Sequence, residues 1–161
     1  MTAFTYSEDI RKTVWNFKYR GQIHLARFFA RQMAYAWNHH SGYAKPDVIV
    51  PVPIHWTRRL SRGYNQSDIL AGWLSKLLGL PMMTALKRIR STGHQAEKNA
   101  RQRHMNIRGA FAVVRPEDIQ GREILLLDDV LTTGSTLNEA ATTLKKSGAA
   151  DISVITIARD L

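Results

Sequence analysis

One stretch constrains this chain more than any other: Ile124-Leu125-Leu126-Leu127-Asp128-Asp129-Val130-Leu131-Thr132-Thr133-Gly134-Ser135-Thr136. Four apolar residues lead directly into two acids, then into a Thr/Gly/Ser loop, then into a helical pattern from Leu137 to Ser147. An uninterrupted apolar run of this length predicts a strand buried on both faces, as in a parallel sheet. The acids then fall at its C-terminal end, where open α/β sheets bind their ligands. The loop supplies hydroxyls, backbone N–H groups and the positive end of a helix, which together suit a phosphate. The plainer alternative is a buried strand whose Thr-Thr-Gly-Ser turn only caps the next helix.

Two adjacent carboxylates would repel a phosphate unless they grip another part of the same molecule. Ribose hydroxyls fit, because ionised carboxylates are strong acceptors, and Mg²⁺ bound with the ligand would relieve the repulsion. In this order of residue types the stretch resembles the 5-phosphoribosyl-1-pyrophosphate (PRPP) signature of type I phosphoribosyltransferases. The resemblance implies that Asp128 and Asp129 hold the ribose at the reacting centre. It also implies that Val130, Leu131, Thr132, Thr133, Gly134, Ser135 and Thr136 complete the PRPP site, the last five around the 5′-phosphate. A P-loop is a poor alternative, since no Gly-x4-Gly-Lys-Ser/Thr occurs.

Length and charge bound the rest. The 161 residues suffice for one domain with a substantial core, and 44% hydrophobic content is ordinary for a globular chain. No apolar run is long enough to span a membrane, and residues 1–9 lack the basic and apolar regions of a signal peptide. With no cysteine there is no disulfide frame and no thiolate zinc site, so a cytoplasmic location and no membrane partner are expected. The formal charge of +10, from 23 basic and 13 acidic side chains, favours polyanionic partners without choosing among them.

Taken in order, Ser7 predicts a helix N-cap, with Val14 and Phe17 on the buried face and Gly21 at the end. A second amphipathic helix is expected from Ile23 to about Asn38. Two helices before the first strand suggest a hood over the sheet, dividing the chain into residues 1–45 and a PRPP-binding core of 46–161. Trp15, Tyr19, Tyr35 and Trp37 read as core aromatics rather than base-stacking platforms. Val48-Ile49-Val50 is a short buried strand ended by Pro51-Val52-Pro53. The residues from Ile54 to Gln66 read as a basic loop. Asn65 to Leu78 is a helix closed by Gly79, with Ile69, Leu70, Trp73, Leu74, Leu77 and Leu78 inward. Met82 to Leu86 and Ala110 to Val114 are short strands. Lys87 to Arg108 reads either as a mobile lid with a helix near Glu97 or as a solvated surface segment. Ile152 to Ile157 closes the sheet. The expected architecture is α/β: a mainly parallel central sheet flanked by helices, in a type I phosphoribosyltransferase fold with an N-terminal helical hood.

A second resemblance narrows the first. Val50-Pro51-Val52-Pro53-Ile54-His55, then Arg58-Arg59, then Arg62-Gly63-Tyr64-Asn65-Gln66 is similar to the ComF family of competence-associated proteins, and the likeness extends through Gln95, Arg103, Asn106 and Gly109-Ala110-Phe111. It implies that Val52, Pro53, Ile54 and His55 face the pyrophosphate, with Arg58, Arg59 and Arg62 as helpers whose planar forks suit it. The implied ligand is PRPP with Mg²⁺, and the implied reaction transfers phosphoribosyl to an unassigned acceptor with release of pyrophosphate. The rival implication is a PRPP sensor that binds single-stranded DNA through its basic surface. A homo-oligomer or a competence-protein partner is compatible with either. His55, His94 and His104 are available as bases, but none carries a signal beyond that of a surface histidine. Many members of the family carry a cysteine-rich zinc ribbon ahead of this domain, and the present sequence has none.

Overall fold

The computed structural model describes residues 1–5, 7–40, 42, 45–90 and 107–159. Its centre is β5 (Glu123–Leu131), the strand that the apolar run predicts. Parallel β6 (Asp151–Arg159) flanks it on one side and parallel β2 (Val48–Pro51) on the other; β1 (Thr2–Thr5) joins the outer edge of β6, giving the order β1-β6-β5-β2. Beyond β2, among the described residues, the sheet continues as a bridge between Ile49 and Met82.

Alternation along the strands divides the interior in two. Ile49, Leu125, Leu127, Ile155 and Ile157 pack beneath α1 (Glu8–Tyr19), α2 (Leu25–Asn38) and α4 (Gln66–Leu78). Val48, Val50, Ile124 and Leu126 face the opposite layer, with α5 (Ser135–Lys146) and the antiparallel ribbon of β3 (Leu86–Arg88) and β4 (Phe111–Val113). Each fully buried leucine or isoleucine in this double core contributes about 1.5–3 kcal/mol by leaving water. The helices start where the sequence supplies acceptors: Ser7 caps α1 through the Ile10 N–H, and Asn65 caps α4 through the Ser67 N–H.

Several expectations need correction. The chain opens on a strand, not on two helices; β1 is only four residues long, too short for a period to register. The basic segment after Pro53 is not all loop, for Trp56–Arg62 forms α3, capped by His55 and closed by Gly63 at φ +81. Met82–Leu86 does not form a strand; Met82 makes a single bridge and β3 begins at Leu86. Trp15, Tyr19 and Tyr35 are not core residues but stand 46%, 56% and 63% exposed, while Trp37 is partly buried against the core. Leu77 also faces solvent rather than inward. Most of the Lys87–Arg108 expectation, with His94, Gln95, Glu97, Arg103, His104 and Asn106, lies outside the described residues; Lys87 and Arg88 belong to β3.

Candidate functional site

The acids lie in the last turns of β5's ladder rather than past it, since Asp128 is in register with Thr156 and Leu131 with Arg159. Both are partly buried. Asp128 Oδ1 accepts from the Ser67 hydroxyl at 3.1 Å and from the Asp129 N–H at 2.9 Å. Asp129 Oδ1 accepts from the Val130 N–H at 2.6 Å and from the Lys18 ammonium at 2.9 Å. Each carboxylate is thus anchored through its Oδ1.

Burial, then the negative charge of Asp129, push Asp128 up to about 7, against the opposing pull of Lys18 and the Ser67 hydrogen bond. Burial alone would lower the Lys18 ammonium, but the charge and hydrogen bond of Asp129, reinforced by Asp128, raise it above its ordinary value. Arg88, on β3, adds a cation to the same end. Burial and the nearby Arg58 lower it to about 10, Asp128 opposes them, and its guanidinium rests 5.6 Å over the Phe111 ring.

Behind the acids, Thr132 and Thr133 are exposed and Ser135 is buried. Gly134, at φ +74, turns the chain into α5 in a backbone conformation that would strain any residue with a Cβ. The Thr133 and Ser135 hydroxyls lie 2.9 Å apart. The first turn of α5 has no acid, unlike α1 with Glu8 and Asp9 and α4 with Asp68, so its positive end is uncompensated from within.

The segment after β2 arrives at the same end. The Val52 N–H donates to Leu127 O at 2.8 Å, and Asn65 Nδ2 reaches the Val52 carbonyl at 3.3 Å. His55 is buried, and its Nδ1 lies 3.4 Å from the Thr57 N–H and 2.9 Å from the Thr57 hydroxyl. The three arginines go three ways. Arg58 is partly buried and acts on Arg88, whereas Arg59 is exposed and acts on Asp68. Arg62 donates to Tyr19 Oη at 2.8 Å and to Gln66 Oε1 at 3.2 Å.

The Arg62–Gln66 block therefore grips the last turn of α1. Tyr64 Oη donates to Phe17 O, Gln66 Nε2 to Lys18 O at 3.3 Å, and Arg62 holds Tyr19. Sequence reasoning missed Lys18, Ser67 and Arg88. A lysine in a helix's last turn and a serine in a helix's first turn have ordinary local roles. Arg88 lies far along the chain from both segments that it faces.

An acid pair ending the central parallel strand, followed by a hydroxyl-rich turn into a helix, defines the phosphoribosyltransferase class. The chain belongs to the phosphoribosyl transferase domain family, whose model matches residues 22–161. Within it, the chain is 35% identical over 96% of its length to competence protein F of Haemophilus influenzae, covering 69% of that protein, and thus groups with the ComF proteins. It is also 34% identical to the DNA utilization protein YhgH of Escherichia coli K12, over 100% of this chain and 72% of that one. Among solved structures, a glutamine PRPP amidotransferase from Bacillus subtilis superposes with TM-score 0.57 at 20% identity, over 88% of this chain and 30% of that chain. An adenine phosphoribosyltransferase from Leishmania donovani gives 0.52 at 13% identity, over 90% and 69%. These two support the fold. No helix among the described residues is long and apolar enough to cross a membrane.

Proposed function

We propose that this domain binds PRPP together with Mg²⁺ and transfers its 5-phosphoribosyl group. The observation that carries the reading is the acid pair Asp128 and Asp129, each anchored through Oδ1, on the strand that leads through Thr132 to Thr136 into the acid-free start of α5. The acids would accept from the ribose hydroxyls, and Thr132 to Thr136 would wrap the 5′-phosphate. Val52 to His55 would face the pyrophosphate, with Arg58 as the candidate helper, since the Arg62 guanidinium is engaged by Tyr19 and Gln66 and Arg59 is exposed near Asp68. In the reaction the bond from ribose C1 to the pyrophosphate oxygen breaks and a bond to the acceptor forms. The electron pair leaves with pyrophosphate and the acceptor's proton is released. Positive charge grows on the ribose, where an anionic acid pair stabilises it.

No group of three or more His, Cys, Asp or Glu residues able to hold a metal occurs among the described residues. Mg²⁺ would therefore arrive on the ligand, held through the PRPP phosphates, with no direct protein ligand required. When bound, the ion would neutralise charge on the pyrophosphate. The test is calorimetric titration with PRPP, with and without Mg²⁺. Mg²⁺-dependent binding that Asp129→Asn weakens while the variant stays folded is expected; no binding at millimolar PRPP overturns the reading.

A second reading makes the domain a non-catalytic PRPP sensor that binds single-stranded DNA. It is favoured by the exposed pair Trp15 and Tyr19, 5.7 Å apart, with Arg20 over the first ring at 5.2 Å and Arg62 over the second at 4.5 Å. Exposed aromatics with adjacent guanidinium groups suit stacked bases and their phosphates. PRPP binding without pyrophosphate release for any acceptor, together with salt-sensitive oligonucleotide binding, would favour it over the transferase.

A further inference from the structure

The ammonium of Lys18 rests on Asp129 at 2.9 Å. It crosses from α1 to the pocket end of β5, and its side chain is only 21% exposed. Removing an ammonium from water is costly, and α1 does not need this contact to stay docked. Phe17 and Val14 are buried in the core, and Arg62, Tyr64 and Gln66 each bond the helix's last turn. Those three bonds fall on Tyr19, Phe17 and Lys18, so the block fixes the stretch of backbone from which the lysine side chain departs. Lys18 and the Val130 N–H both bind Oδ1 of Asp129, and the two contacts together restrict the carboxylate's rotation. An ammonium has three donors, and Asp129 is its one acceptor among the described residues.

We propose that Lys18 is a positioning residue of the acid pair: delivered by the Arg62–Gln66 block, its ammonium orients the Asp129 carboxylate for the ribose hydroxyls and supplies the charge that lets two adjacent carboxylates share one site. The inference rests on the PRPP reading above and gives the block a task there, holding the acids' counter-ion. The charged groups facing Asp128 are Asp129 on its own strand, Lys18 on α1 and Arg88 on β3; Ser67 on α4 adds a neutral hydroxyl.

The experiment uses Lys18→Met and Lys18→Arg in the full chain, with two readouts. The first is the titration of the Asp128 carboxyl by carbon NMR without ligand. The second is PRPP affinity with Mg²⁺ across a pH series. With Lys18→Met the Asp128 midpoint should move to higher pH, because one positive charge is gone. PRPP affinity should fall about 10–100-fold, the scale on which losing a partner that orients a binding group is felt, and its pH profile should shift the same way. Lys18→Arg should restore much of both. A Lys18→Met protein that melts earlier but keeps the wild-type carboxyl midpoint and PRPP affinity would make Lys18 a mere fastening and overturn the proposal. If Lys18→Met does not fold, Lys18→Gln, which keeps an N–H for Asp129, carries the same comparison. Failure of the wild-type protein to bind PRPP would sink the function proposed above, and the ligand-free midpoints would still decide whether Lys18 governs the acids: an unmoved midpoint overturns its assignment in that case too.

Discussion

Replacing Asn65 should be costly in a way that can be dissected. The side chain is 5% exposed and makes three bonds: it accepts from the Ser67 N–H at 3.3 Å, and donates to Val52 O at 3.3 Å and to Asp68 Oδ1 at 2.8 Å. Asn65→Ala removes a helix cap, about 1 kcal/mol. It also removes the side-chain donor to a carbonyl on Val52, a residue 3% exposed, a further loss of about 1–3 kcal/mol. The total of about 2–4 kcal/mol should lower the melting temperature by roughly 4–16 °C, at about 2–4 °C per kcal/mol for a domain of this size. Asn65→Ser separates the two terms, because serine caps nearly as well as asparagine but cannot reach Val52. Urea denaturation followed by circular dichroism should place Ser between Ala and wild type. PRPP affinity should fall for both variants, since the loop from Val52 to His55 is released while Asp128 and Asp129 are untouched. If Asn65→Ser matches wild type in stability and affinity, the tether from α4 to this loop contributes nothing and the reasoning fails.

Two further outcomes concern charge. Asp128 is held up at about 7 by burial first and by Asp129 second, above the ordinary aspartate value near 4 that it regains on unfolding. Its protonated form is favoured in the folded state, so its contribution to stability is fully present below about pH 4 and is lost as pH rises through about 7. Asp128→Asn should therefore flatten the fall of melting temperature across that window, and an unchanged slope would refute the assignment. For the paired arginines, Arg58→Ala with Arg59→Ala should lower PRPP affinity through Arg58, whose charge acts beside Arg88, with little effect from Arg59. If both instead contact DNA phosphates, PRPP binding should persist and the slope of log affinity against log salt should shrink by about two.

The legible parts of this molecule were those written in local pattern. The strand–loop–helix from Ile124 to Ser147, the cap at Ser7 and the C-terminal glycine after α4 each follow from neighbouring residues. β1 escaped notice because four residues at a sheet edge gain their order from β6, more than 150 positions away in the Thr2–Thr156 pairing. α3 escaped because its density of arginine resembles a solvated loop, although His55 and Gly63 bracket it as cap and stop. The aromatics of α1 misled in the opposite direction: Trp15 and Tyr19 look like core by composition, yet they lie on the helix face turned away from Val14 and Phe17. At the site, the acids and the loop were visible as a contiguous motif, whereas Lys18, Ser67 and Arg88 reach them only through tertiary packing.

The grip of the Arg62–Gln66 block on α1 also bears on how such a chain can drift. Two of its three bonds end on main-chain oxygens, those of Phe17 and Lys18. A carbonyl is the same whatever residue carries it, so the block senses where the helix ends and not what it is made of. The tyrosine and glutamine donors would be retained across descendants while the residue at position 17 varied within the limits of its burial. Such a contact leaves no paired substitutions. A search for correlated changes among homologues would pass over this seam, and a chimera cut between residues 19 and 62 would have to preserve the helix's length before its sequence.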